Sequence, residues 1–154
     1  VPTVEKTRTI AASPEELWKV VGDPHHLPRW WPRVQRVEAV EDGAFTEVLM
    51  SAKGKVVRAD FKLLDTPEPW RVAWSQQVEN TPFAKVLKSA ETEIRLVDGH
   101  GAHGPLVEVT IEMRQATQGF FARLGSRLVR RAAASTIDEA FEGLQRIAGG
   151  ETPA

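Results

Sequence analysis

The sequence predicts an α+β fold: a curved antiparallel sheet of about seven strands, two short helices after strand 1, and a long C-terminal helix packed across the concave face. Three observations carry this. Across residues 34–115, apolar and polar residues alternate with period two in runs separated by turn residues, the pattern of half-buried strands. Ahead of them, two short capped helical segments follow a first alternating run. Finally, residues 119–148 contain no proline and stop at Gly149-Gly150, which reads as one helix of about thirty residues, roughly 45 Å long.

Residues 4–10 alternate as V-E-K-T-R-T-I, a partly exposed first strand. Ser13-Pro14-Glu15-Glu16 is a capping box with proline at the first helical position, and Leu17, Trp18, Val20 and Val21 form the apolar side of a helix ending near Gly22. Asp23-Pro24 starts a second helical piece over residues 25–31, interrupted by Pro28 and closed by Pro32. Strands over 34–40 and 45–52 turn at Glu41-Asp42-Gly43 and Lys53-Gly54-Lys55. The run 57–63 ends at Thr66-Pro67-Glu68-Pro69, and the runs 70–79, 86–97 and 107–115 complete the series, with a glycine-rich tip at 98–104. The closing helix has Thr117 available as N-cap. Its apolar side changes along its length, from Phe120, Phe121, Leu124, Leu128 and Ala132 to Ile137, Ala140, Phe141, Leu144 and Ala148, so it touches two partners or bends between them. Each strand has one dry face, and a single helix covers six or seven strands only if the sheet curls around it.

The 154 residues make one domain over 1–150 with a short tail at 151–154, and 42% hydrophobic residues suffice for a core. A net charge of −1 provides no overall field for DNA or an anionic membrane. The absence of cysteine excludes a disulfide framework, a thiolate nucleophile and a Cys-type zinc site. No apolar run spans a bilayer and no signal-peptide pattern opens the chain, so a cytoplasmic location is expected; Val1 in place of Met points to a few missing leader residues. Five Trp and six Phe against no Tyr single out tryptophan as the residue to follow.

Taken together, Ile10-Ala11-Ala12-Ser13-Pro14-Glu15-Glu16-Leu17-Trp18, Asp23-Pro24, Leu27-Pro28-Arg29-Trp30-Trp31-Pro32, Val34 and Val37 before Gly43, and the closing helix resemble the START / Bet v 1-like (SRPBCC) helix-grip superfamily, particularly its polyketide cyclase/dehydrase-like branch. The resemblance covers nearly the whole chain and is specific for fold rather than activity. It implies a deep cavity between the curved sheet and the long helix, holding an apolar or aromatic molecule. No residue set here matches a specific catalytic pattern of that superfamily.

On strand parity Trp74 and Gln76 share a side with Val72 and Val78; a flat ring beside a neutral amide either fills the core or lines a cavity for a ligand with an aromatic body and an oxygen. Trp30 and Trp31 diverge by about 100° on a helical turn, so one of them sits at a cavity mouth or is partly exposed, or the pair wedges the short helices apart. The expected wall of a hydrophobic-ligand site is Trp31, Phe61, Trp74, Gln76, Met113, Phe121 and Leu124, with no cofactor and no metal. His25-His26 and His100-x-x-His103 lack the converging third and fourth ligands that zinc requires. Ser75 and Ser89 have no histidine partner, and Asp60, Glu91, Glu93, Glu108 and Glu112 point outward by parity, leaving Gln76, Thr92, Gln115 and Lys88 as inward polar groups. Binding without catalysis is the leading expectation. The alternatives are a cyclase/dehydratase acting in the same cavity, and a protein-interaction module using the basic side Arg123, Arg127, Arg130 and Arg131.

Overall fold

The computed structural model describes residues 2–51 and 53–150, the side chains of Phe120 and Phe121 excepted. Seven antiparallel strands form one sheet in the order β1-β7-β6-β5-β4-β3-β2, where β1 is Thr3–Ile10, β2 Val34–Glu41, β3 Ala44–Met50, β4 Val56–Leu63, β5 Arg71–Gln76, β6 Leu87–Asp98 and β7 Val107–Thr117. The consecutive strands β2 to β7 pair as a meander, while β1 and β2 lie at opposite edges. The chain therefore crosses the sheet between them, and it does so through α1 (Pro14–Val21), a 3-10 turn (Pro24–His26) and α2 (Leu27–Trp30).

Local chemistry explains where these helices begin and end. Ser13 Oγ accepts the Glu16 N–H at 3.1 Å, Pro14 occupies the first helical position, and Gly22 closes α1 by donating to the Trp18 carbonyl at 2.8 Å. Replacing Ser13 by alanine is expected to cost about 1 kcal/mol, a fall in Tm of about 2–4 °C by differential scanning fluorimetry. Asp23 Oδ1 caps the following 3-10 turn through the His25 N–H. Register shifts on either side of residues 36–38 bend β2, the usual device for curling a sheet edge.

The concave face is the dry one. Ile94 pairs with Ile111, Leu63 with Trp74 and Phe45 with Phe61 on that side, and Ile10, Leu17, Trp30, Phe141 and Leu144 close over them at 2% exposure or less. On the convex face, ion pairs cross the strands: Arg71 to Glu93 at 2.7 Å, Arg95 to Glu5 at 3.0 Å and Arg114 to Glu91 at 3.0 Å. Glu93 is itself buried; burial acts to raise its pKa, but hydrogen bonds and charge from Arg71 and Arg95 outweigh that and hold it below the usual range.

The closing segment is broken where the reading from sequence had one continuous helix. Residues 120–123 form a single turn, α3 (Phe120–Arg123), and α4 runs Ser126–Ala148. Gly125 between them takes φ +87°, a left-handed conformation that ends one helix and starts the next. Thr117 accordingly finishes β7 rather than capping the helix. The change of apolar side persists across this break. Ala133, Ile137, Ala140, Phe141 and Leu144 bury the second half of α4 against β1, β7 and α2, whereas Leu124 and Leu128 remain 39% and 48% exposed. Lys6 donates to Asp138 at 2.8 Å and the Arg8 guanidinium lies 5.0 Å over the Phe141 ring, fixing this half to β1. Among the described residues no helix is long and apolar enough to cross a membrane.

Candidate functional site

Because only the second half of α4 is seated on the sheet, a space of about 260 Å³ stands under the first half. Its walls are Leu124, Leu128, Val129 and Ala132 from the helix side, and Val86, Leu87, Gln115 and Thr117 from the ends of β6 and β7. The 3-10 turn Pro82–Lys85 is bound beneath it. Gln118 donates its N–H to the Val86 carbonyl at 2.9 Å and its side-chain amide to the Ala84 carbonyl. Gly119 passes so close that a Cβ there would lie 2.7 Å from the Lys85 carbonyl oxygen, and its φ of +65° equally demands glycine. The result is an apolar recess with Gln115 and Thr117 as its polar groups, the composition expected of a small-molecule site.

Deeper along the concave face lies an aromatic row. Trp30 meets Trp31 edge-on at 5.4 Å, Trp31 meets Trp74 at 5.6 Å, Trp74 meets Phe45 at 6.2 Å, and Phe45 stacks on Phe61 at 5.3 Å. Both tryptophans of the adjacent pair are buried, Trp30 at 2% and Trp31 at 9%, so neither stands exposed at a mouth. The divergence of their rings is absorbed instead by α2 itself, which sits between β2 and α4 and has interior on both sides.

Three buried polar atoms among the described residues have no hydrogen-bond partner: Trp30 Nε1, Glu47 Oε2 and Gln76 Nε2. Glu47 is the unusual one. It is 3% exposed, on the inner side of β3, with Val37 and Ala59 as its cross-strand partners. Burial alone pushes its carboxyl up to about 8, so the neutral form predominates near pH 7. Sequence reasoning passed over this residue. The signal was present in the alternation Phe45, Glu47, Leu49, but Val48 and Met50 give the opposite parity an equally apolar look.

The wall expected from sequence divides in two. Leu124 lines the recess, Met113 is half-buried against the core, and Trp31, Phe61 and Trp74 belong to the aromatic row, with Gln76 paired across to Phe61. The Phe121 side chain lies outside the described residues. Of the inward polar candidates, Thr92 is buried and Gln115 faces the recess, but Lys88 is exposed on the surface. Arg123, Arg127, Arg130 and Arg131 are all exposed, and Arg127, Arg130 and Arg131 border an open groove against Val4. His25 contacts Asp23 Oδ1 at 2.8 Å, and among the described residues no group of three or more His, Asp or Glu side chains converges as a metal site would need.

Comparison with known proteins places this geometry. Residues 1–149 match the family described as polyketide cyclase / dehydrase and lipid transport. No curated protein matches. Among solved structures, the fold is similar to a START superfamily protein from Mycobacterium smegmatis at TM-score 0.77, with 14% identity over 97% of this chain and 99% of that one. It is similar to the protein XoxI from Bacillus cereus at TM-score 0.75, with 15% identity over 96% and 95% of the two chains. The di-domain ARO/CYC BexL of the BE-7585A biosynthetic pathway superposes at TM-score 0.74 with 18% identity, over 95% of this chain and 46% of BexL. At such identities these likenesses speak to fold alone, whereas the family match spans nearly the whole sequence: the chain belongs to the polyketide cyclase / dehydrase and lipid transport family.

Proposed function

We propose that this protein binds a hydrophobic, ring-containing small molecule between its sheet and the first half of α4. The observation that carries the reading is the apolar recess of about 260 Å³ beneath Leu124, Leu128 and Ala132, where the helix stands off the sheet. Family membership supports it, since the matched family is described by both cyclisation and lipid transport. Affinity comes from burying apolar area, at roughly 25 cal/mol per Å² before ordering costs, while Gln115 and Thr117 orient the molecule. Larger ligands extend along Met113 and Gln76 toward the aromatic row of Phe61, Trp74 and Trp31, and Phe121 belongs to the same proposed wall.

The test is a titration with flat aromatics, quinones and fatty acids, read by tryptophan emission and native mass spectrometry. Ala132→Phe places a ring in the recess from an exposed position and is expected to weaken binding at least tenfold while leaving Tm nearly unchanged. Equal affinity in wild type and Ala132→Phe, or no response to any ligand class, would count against the site.

A second reading, a cyclase or dehydratase in the same cavity, is favoured by one residue, Glu47. A neutral carboxyl in an apolar wall is a proton donor held ready for a bound carbonyl. Turnover of a poly-β-ketone substrate that disappears in Glu47→Gln, with binding retained, would establish it.

A further inference from the structure

Two of the three unpartnered polar atoms, those of Gln76 and Glu47, lie on the same inner face of the sheet. Gln115, on the wall of the recess, pairs across to Ala90 on β6; Gln76 lies on β5 directly after Ser75, which pairs with Glu91; Phe61 pairs with Gln76; and Phe45 pairs with Phe61. These residues make one lateral lane across the inner face of the sheet, starting at the recess. Glu47 sits beside the far end of that lane, opposite Ala59. With strands about 4.8 Å apart, the Cα atoms of Gln76 and Glu47, two strands and two residues apart, are roughly 12 Å from one another. Side chains of this length bring their polar ends to within the span of a fused-ring molecule.

The chemistry of the orphaned atoms has one sense. Trp30 Nε1 and Gln76 Nε2 can only donate, and an uncharged Glu47 carboxyl carries one O–H to donate. A buried donor without a partner costs free energy that a bound acceptor returns. Resting on the binding reading above, we propose that Glu47 is a specificity-determining residue, donating a hydrogen bond to a carbonyl-type oxygen on a flat ligand that enters at Gln115 and lies along the lane past Gln76. Ligands with an acceptor at that end gain affinity, and hydrocarbons of the same outline do not.

The experiment compares fluorenone with fluorene, which share a shape and differ by one carbonyl, on the full chain in wild type, Glu47→Leu and Glu47→Gln. Wild type is expected to prefer fluorenone by about tenfold. Glu47→Leu should lose that preference through weaker fluorenone binding, with fluorene unaffected, while Glu47→Gln keeps an N–H donor and most of the preference. Infrared spectra supply a readout that packing alone does not move: the bound carbonyl stretch should shift to lower frequency in wild type and return in Glu47→Leu. A fluorenone preference or carbonyl shift that survives Glu47→Leu overturns the assignment while leaving the cavity reading intact. Failure of both compounds to bind wild type overturns both.

Discussion

Between pH 4.5 and about 8 the protein is expected to lose about 3–5 kcal/mol of folding stability, and Glu47→Gln is expected to abolish most of that loss. Unfolded, the Glu47 carboxyl ionises near 4.5; folded, burial raises it to about 8. Within that window the native state holds a proton that the unfolded state has released, so stability falls as pH rises, by about 1.4 kcal/mol per unit. Below the window both states are protonated and the contribution is fully present; above it both are ionised and the loss is complete. Glu93 works in the opposite direction: its folded pKa is depressed, so its contribution is lost as pH falls through the acid range. The two together put the optimum on the acid side of neutrality. Urea unfolding at pH 5, 7 and 9 measures the effect, and parallel pH profiles for wild type and Glu47→Gln would refute it.

Gly143→Ala is the second large effect. In an isolated helix this change helps by about 1 kcal/mol, because alanine orders more cheaply than glycine. Here Gly143 is where α4 presses on α2, and an added Cβ would lie 2.4 Å from the Trp30 carbonyl oxygen and 2.7 Å from the Trp30 Cα. Those are backbone atoms of a helix wedged between β2 and α4, so no side chain can swing aside to make room. Overpacking of this kind costs about 1–3 kcal/mol and outweighs the propensity gain, giving a net loss of up to about 2 kcal/mol. A thermal melt decides the sign, and an unchanged or higher Tm for Gly143→Ala would mean that the two helices part without cost. The buried edge-on contact between Trp30 and Trp31 should register the same shift as a change in near-ultraviolet circular dichroism.

Much of this architecture was legible because its signals are local. The Ser13 cap, the proline-started α1 and the period-two runs of β4, β5 and β7 each announce themselves within a few residues, and the order of elements follows from them. The failures share a cause. The break at Gly125 is a single left-handed residue within a run that scores as helix throughout, and only the separate seating of the two halves of the helix reveals why it is needed. One of Trp30 and Trp31 was expected at a mouth or partly exposed because a helical piece over residues 25–31 was read with one wet side, whereas α2 is enclosed. Glu47 lay hidden because β3 carries apolar residues on both parities, so alternation could not tell its inner face from its outer. Gln115 and Leu124 could be aimed inward from sequence, but the gap they border depends on how far a helix stands from a sheet, which no short-range pattern encodes.

The placement of β1 has a consequence for how the chain is made. Its eight residues pair with β7, Thr3 opposite Arg114 and Ile10 opposite Val107. During synthesis β1 emerges well before β7 and thus waits, with its backbone groups bonded to water, until that strand has followed it out. Closure over such a sequence separation is slow, and it leaves the other hairpins to assemble first as a six-stranded platform.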